Sequence, residues 1–568
     1  MLCLLAVVTG VLSGVAAVIL KQAILLLHRL VSGAFAGSPY QWLYLVTPGV
    51  GMLLSMLFVR YVIKDKIGHG VTRVLKAISR NEAHIAPHNT FSSVAASAVT
   101  IGLGGSVGAE APIVYTGAAI GSNIARALKL PYGQITILLG CGAAGAIAGI
   151  FKAPIAGVLF TLEVLMFNIS MTSILPLLFS SVSATMVTYL LMGDTVTFSS
   201  SIVPFALSNI PFYIVLGLVC GFISLYFLRT TLRVEDRLGK MRSPYLRWLL
   251  CAALLGMLIF IFPPLYGEGF DSLEAMLNGE LPGSLSVLPA SLVQGKWTIL
   301  LFFAAVMFTK VFATALTNSG GGVGGTFGPT MFTGAVTGFV LARLAGNLGV
   351  ASLPEANFTL VGMAGLMAGV MQAPLTAIFL IAEISGGYAL MFPLMITSAI
   401  SFATIRIFEQ YSIYANRIAL KGDLLTHDSD QAVLTLLRLS DLIETDFKPI
   451  GVEATLGDLV KIIATSNRNI IPVVDNRGLF QGVVMVDDVR QYMFNKELYD
   501  SMYIYNVMKE APAILTEGDR MERVMRRFER TGAWNLPVTD SEGHYVGFVS
   551  KSKIFSSYRD QLHQVSHD

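Results

Sequence analysis

The chain has 568 residues, 54% of them hydrophobic and 13% charged, with a formal net charge of +3 and mean hydropathy +0.67. Soluble domains carry about a quarter charged residues, so this composition excludes a soluble enzyme or binding module and calls for many membrane spans. The balanced charge offers no nucleic-acid surface, and Cys3, Cys141, Cys220 and Cys251 sit in apolar stretches at unrelated spacing, as small buried side chains rather than a metal cluster or disulfide framework.

The first twenty residues are apolar without a basic leading segment or an obvious cleavage site. They read as a first membrane helix and not a signal peptide, and so abrupt a start reads as a chain shortened at its N-terminus. Further apolar stretches follow at roughly 40–63, 93–126, 133–166, 171–192, 209–228, 246–264, 297–317, 329–350, 356–383 and 386–409. Many contain glycine or proline, which predicts broken or tilted helices whose backbones approach closely. The charged stretch Arg229–Arg242 is expected to be a loop or helix end.

Two long stretches recur. Gly104–Gly121 returns as Gly321–Gly338, with Pro112 on Pro329 and Gly104, Gly105, Gly108, Thr116, Gly117, Ala118 and Gly121 each meeting an identical residue. Gly142–Glu163 returns as Gly362–Glu383, with Ala153-Pro154 on Ala373-Pro374 and Glu163 on Glu383. The membrane part therefore reads as two related halves, 1–205 and 206–425, with the glycine-rich loop as their shared centre.

After a linker at 426–440 the charge rises and apolar runs shorten to strand length. Two units, 441–503 and 504–568, repeat Pro472, Val473, Asp475, Gly478 and Gly482 as Pro537, Val538, Asp540, Gly543 and Gly547. Each reads as helix, strand, turn, strand, helix, and the pair resembles two CBS modules.

Each membrane repeat places its glycine-rich turn before a proline and an Ala/Gly-rich helix. Proline suits the first helical turn because its missing N–H costs nothing there. Pro112 and Pro329 thus mark helix starts whose free backbone N–H groups make anion sites, and two of them in related halves are placed to converge. The alternative is glycine that serves tight packing alone. Glu110 stands two residues before Pro112, in the loop itself. A carboxylate in the membrane is costly and usually functional, and here it is a tethered anion competing with a free one, released on protonation; the alternative is a structural helix cap.

These residues resemble the CLC chloride channels and proton-coupled chloride antiporters over nearly the whole chain. Gly108-Ala109-Glu110-Ala111-Pro112 is similar to the family's G-[KR]-E-G-P motif, which makes Glu110 the external gating glutamate and Gly108, Ala109 and Ala111 its anion-facing neighbours. Gly325-Thr326-Phe327-Gly328-Pro329 resembles G-x-F-x-P, whose amides face the central anion. Tyr414 resembles the pore tyrosine. The resemblance implies an α-helical multi-pass fold of two inverted repeats with a cytoplasmic α/β CBS pair, and a homodimer with one pore per protomer. It implies chloride as the transported ion, with protons in the antiporters, and a plasma or inner membrane location; Arg406, Arg417 and Lys421 beside the CBS pair agree with a cytoplasmic face.

Departures are specific. His69 takes the place of the anion-binding serine; it either donates N–H to an anion or turns away. Ala109 replaces a basic residue and Ala111 a glycine. Val164 stands where antiporters carry the internal proton-accepting glutamate, which favours a passive channel gated by Glu110 over an exchanger. Glu163 and Glu383 are expected to be structural, capping helices or pairing with Lys310. Lys152 replaces an asparagine and either attracts anions or pairs with a carboxylate. In the CBS pair the ribose-binding hydroxyl and carboxylate survive only in part, as Ser550 in one unit and Asp488 in the other, so adenine nucleotide binding has weak support and no other cofactor is expected. A CBS-linked divalent cation transporter would need more oxygen ligands than Glu110, Glu163 and Glu383 supply. A fluoride-selective relative would alter the anion motifs in other ways. Nothing in the sequence supports catalysis.

Overall fold

The computed structural model describes residues 1–35, 43–65, 67–68, 70–80, 83–165, 171–193, 202–278, 295–419, 439–519 and 521–557. The chain divides into two compact units, Met1–Leu424 and Leu425–Asp568. Lys421 lies outside the described residues.

The first unit is helical. Its long elements include α1 (Leu2–Phe35), α2 (Leu43–Leu57), α3 (Gly70–Arg80), α4 (Ser92–Gly102), α5 (Glu110–Ala127), α6 (Tyr132–Phe151), α7 (Pro154–Val164) and α8 (Met171–Met192). After these come α9 (Ile210–Gly239), α10 (Pro244–Ile261), α11 (Phe270–Leu277), α12 (Lys296–Ser319), α13 (Phe327–Asn347), α14 (Glu355–Met371), α15 (Pro374–Ile384), α16 (Met391–Arg406) and α17 (Ile413–Ala419). Among the described residues seven helices are long and apolar enough to cross a membrane.

Several apolar stretches resolve into pairs of shorter helices, as their internal glycine and proline predict. The stretch at 93–126 breaks between α4 and α5, 133–166 between α6 and α7, and 356–383 between α14 and α15. The last two breaks are equivalent. Lys152 and Gln372 close α6 and α14 in the left-handed region, at φ 56° and 54°, and Ala153-Pro154 and Ala373-Pro374 start the next helices. Small residues bring the backbones together: a methyl on Gly117 would overlap the Gly142 carbonyl, and one on Gly334 the Gly362 carbonyl.

The charged stretch Arg229–Arg242 is mostly helix rather than loop. It forms the last turns of α9 to Gly239, and the turn lies between Lys240 and Ser243. Arg229 pairs with Glu409 at 2.7 Å and Glu235 with Arg417 at 2.8 Å, so these charges are neutralised against the end of the second repeat.

Among the described residues the second unit holds two three-stranded sheets. β1 (Ile450–Gly451), β2 (Ile470–Val474) and β3 (Phe480–Met485) form one, and β4 (Leu515–Thr516), β5 (Asn535–Thr539) and β6 (Tyr545–Ser550) the other. Both carry one parallel and one antiparallel pairing, with Pro472 opposite Val483 and Pro537 opposite Phe548. The helices Leu456–Thr465 and Met521–Thr531 precede the hairpins, whose turns use Gly478 and Gly543 at positive φ. The hairpins pair with each other: Phe480 N–H donates to Gly543 O at 3.1 Å, and Tyr545 N–H to Gly478 O at 3.0 Å.

Candidate functional site

The two glycine-rich loops meet. Gly108 N–H donates to Gly325 O at 3.0 Å, and Gly325 N–H to Gly108 O at 2.7 Å. Gly108 and Gly325 are the same position of the two repeats, so this pair sits on a local twofold axis. The symmetry extends outward. Ser106 N–H donates to Thr317 Oγ1 at 3.2 Å, and Val323 N–H to Thr100 Oγ1 at 3.1 Å. Gly104 and Gly321 turn the loops at φ 100° and 101°, a conformation open to glycine and strained for other residues.

Glu110 is the first residue of α5 rather than a loop residue, and it is 2% exposed. Its carboxylate crosses to the other repeat, where Oε2 accepts from Gly328 N–H at 3.2 Å, at the start of α13. A side-chain anion thus rests on the positive end of a helix. Pro112 and Pro329 lie in the first turns of these two helices, as read from the sequence. Phe327 is held by Phe151 and Phe160, with ring centroids 5.6 and 6.1 Å away.

Other expected residues gather around Glu110. Tyr414, 2% exposed, lies in the first turn of α17, where its hydroxyl neighbours that of Thr326 and faces the Glu110 carboxylate. Beyond each other, the buried Tyr414 and Thr326 hydroxyls have no hydrogen-bond partner among the described residues, which leaves both with capacity for a further polar ligand. Ala111 packs against Gly70 at the head of α3. His69 lies outside the described residues. Two of the expected anion-facing amides already carry protein partners, Gly108 as described and Ala109, whose N–H donates to Glu268 Oε1 at 3.0 Å.

Glu163 and Glu383 exchange caps across the repeats. Glu163 accepts from Leu375 N–H at 3.0 Å and from Thr376 N–H and Oγ1–H at 2.7 Å each; Glu383 accepts from Ile155 N–H at 3.1 Å and Ala156 N–H at 2.9 Å. The alternative of pairing with Lys310 is not what forms. Lys310 is fully buried, donates to the carbonyls of Gly267 and Glu268 at 3.1 and 3.3 Å, and lies 4.8 Å from the Phe332 ring centroid. Val164 is buried at the end of α7. Lys152 donates to Gly193 O at 2.8 Å and lies over the Tyr189 ring.

Sequence reading missed Glu268. It stands in Tyr266-Gly267-Glu268-Gly269, between α10 and α11, where its flanking glycines give it the look of an ordinary turn acid. With Glu110, Lys21 and Ala109 it lines a cavity of about 180 Å³. That volume holds several waters. The signal available in the sequence was its place just after an apolar span, in a chain with few membrane-depth acids.

In the second unit the candidate nucleotide residues have protein partners. Asp488 pairs with Lys509 Nζ at 2.8 Å, and Ser550 Oγ donates to Glu444 Oε1 at 2.5 Å.

A family profile described as voltage gated chloride channel matches residues 50–406, and the CBS domain profile matches 439–495 and 504–560. The chain is 26% identical over 437 residues to the voltage-gated ClC-type chloride channel ClcB of Citrobacter koseri, covering 73% of this chain and 98% of that one. It is 29% identical over 322 residues to the H(+)/Cl(-) exchange transporter ClcA of Vibrio cholerae, covering 54% of this chain and 64% of that one. Its fold is similar to that of a slow cyanobacterial Cl-/H+ antiporter, at TM-score 0.64 and 23% identity, over 74% of this chain and 97% of that one.

Proposed function

Since the chain belongs to the voltage gated chloride channel family and carries a CBS pair, we propose that it conducts chloride passively through a pore gated by Glu110, one pore in each protomer of a homodimer. What carries this reading is the Glu110 carboxylate on the Gly328 amide, a tethered anion held where a diffusing one would be stabilised. Swinging away, it exposes the amide together with the Tyr414 and Thr326 hydroxyls. Protonation of Glu110 removes the charge that competes with chloride and opens the path.

Val164 supports conduction over exchange, because valine carries no proton where an internal acceptor would stand. A chloride/proton exchanger is the second reading, favoured by the cavity that brings room for water to Glu110 from one side. The CBS pair lies on the cytoplasmic face of the inner or plasma membrane in both.

The deciding experiment uses the purified full chain in sealed liposomes under an imposed chloride gradient, with the membrane potential clamped and internal pH recorded. Chloride flux without proton movement is the expected result. Uphill proton movement driven by chloride overturns the passive reading and establishes exchange.

A further inference from the structure

Glu268 stands to the start of α5 much as Glu110 stands to the start of α13. Each is a carboxylate from another part of the chain that accepts a backbone N–H at a glycine-rich loop, Glu110 from Gly328 and Glu268 from Ala109. Both line the same cavity. The charges facing Glu268 come from every side. Lys21 and His28 lie on α1, Glu110 on α5, Asp271 on α11 and Lys310 on α12, and Lys21, Lys310 and Asp271 all act on the Glu268 carboxylate. Tyr266 completes that wall.

The cavity is therefore lined by a lysine, Lys21, and by the helix-start residue Ala109, the elements of an anion site, with the Glu268 carboxylate already seated on the Ala109 amide. We propose that Glu268 is a second tethered gate carboxylate, which excludes chloride from the cavity leading to Glu110 and shares the Ala109 amide with it in turn. Two carboxylates then stand in series on the anion path, Glu268 at Ala109 and Glu110 at Gly328. Lys21 sets the balance. With Glu268 in place the Lys21 charge is offset; with Glu268 displaced Lys21 and the Ala109 amide hold an anion. Fixing the residue that precedes Glu110 also makes Glu268 a positioning residue for the first gate.

This inference rests on the anion-transport reading, and the test separates the two. Chloride flux through the full chain in liposomes is measured against chloride concentration, varied on each side in turn, for the wild type, Glu268→Gln and Lys21→Gln. Glu268→Gln keeps the shape and removes the charge, and a unit charge within this cavity is expected to lower the half-saturating chloride on one side by about fivefold. Lys21→Gln is expected to raise it on the same side by about as much. A purely structural role would change the amount of folded protein or the maximal flux and move both variants alike. Half-saturating chloride within about twofold of wild type in both variants, or shifted in the same direction in both, overturns the inference while leaving chloride transport standing. If Glu268→Gln does not fold, Lys21→Gln decides alone, since its side chain is partly exposed. Absence of flux in the wild type overturns the transport reading and this inference with it.

Discussion

Glu110 and Gly328 belong to different repeats and are joined by one hydrogen bond of 3.2 Å, from the Gly328 N–H to the Glu110 carboxylate. The bond closes the centre of the molecule, because it is made where the two glycine-rich loops already exchange backbone bonds between Gly108 and Gly325. Glu110→Gln keeps the size of the side chain and removes its charge. Chloride flux should rise, and any pH response that originates in this residue should vanish. Flux assays of reconstituted protein across a pH series check this, and an unchanged flux with an unchanged pH response removes Glu110 as the gate.

The reciprocal caps of Glu163 and Glu383 are load shared between the repeats. Each carboxylate satisfies N–H groups at a helix start that no intrahelical carbonyl reaches. Glu163→Gln keeps one acceptor oxygen and loses the charge, and should lower stability by about 1–2 kcal/mol, as should Glu383→Gln. Chloride selectivity should not change in either. Thermal unfolding in detergent reads the first effect and reversal potentials the second.

Adenine nucleotide binding to the CBS pair should be weak or undetectable by calorimetry on the full chain. Asp488 is engaged by Lys509 and Ser550 by Glu444, so a ribose would have to displace both partners. Lys509→Ala frees the Asp488 carboxylate, and a gain in ATP affinity in that variant would identify the ion pair as the block. Micromolar binding by the wild type would mean that other residues supply the ribose contacts.

The turn of the second CBS hairpin should be acid-sensitive. Asp540 accepts from the backbone N–H groups of His544 and Glu542 and pairs with the His544 ring at 3.0 Å, and these donors hold its carboxyl below the usual carboxylate range. A carboxyl depressed in the folded state contributes stability that is complete above its unfolded pKa and is lost as pH falls through the folded value. The ordinary value is 3.8, so protection of the 540–544 turn should hold from pH 6 down to about that value and fall away as pH drops below it. Hydrogen exchange of the full chain across pH 6 to 3 measures this. Asp540→Asn should flatten the dependence at the turn.

What the sequence alone determined is local or repetitive. The apolar spans follow from composition over windows of about twenty residues. The helix breaks at Lys152 and Gln372 follow from the Ala-Pro pairs beyond them, and Glu110 stands out as a charge within an apolar run. The existence of two related halves is visible as recurrence of Gly108 at Gly325 and of Glu163 at Glu383. The tertiary structure decided the partners. Nothing near Glu163 in the chain announces that it caps Thr376, 213 residues away, or that Lys310 turns to the carbonyls of Gly267 and Glu268 instead of to either glutamate. Glu268 reaches Ala109 across 159 residues. A buried polar group must find a partner, but which one it finds depends on how helices far apart in sequence are packed, and only the folded backbone sets that distance.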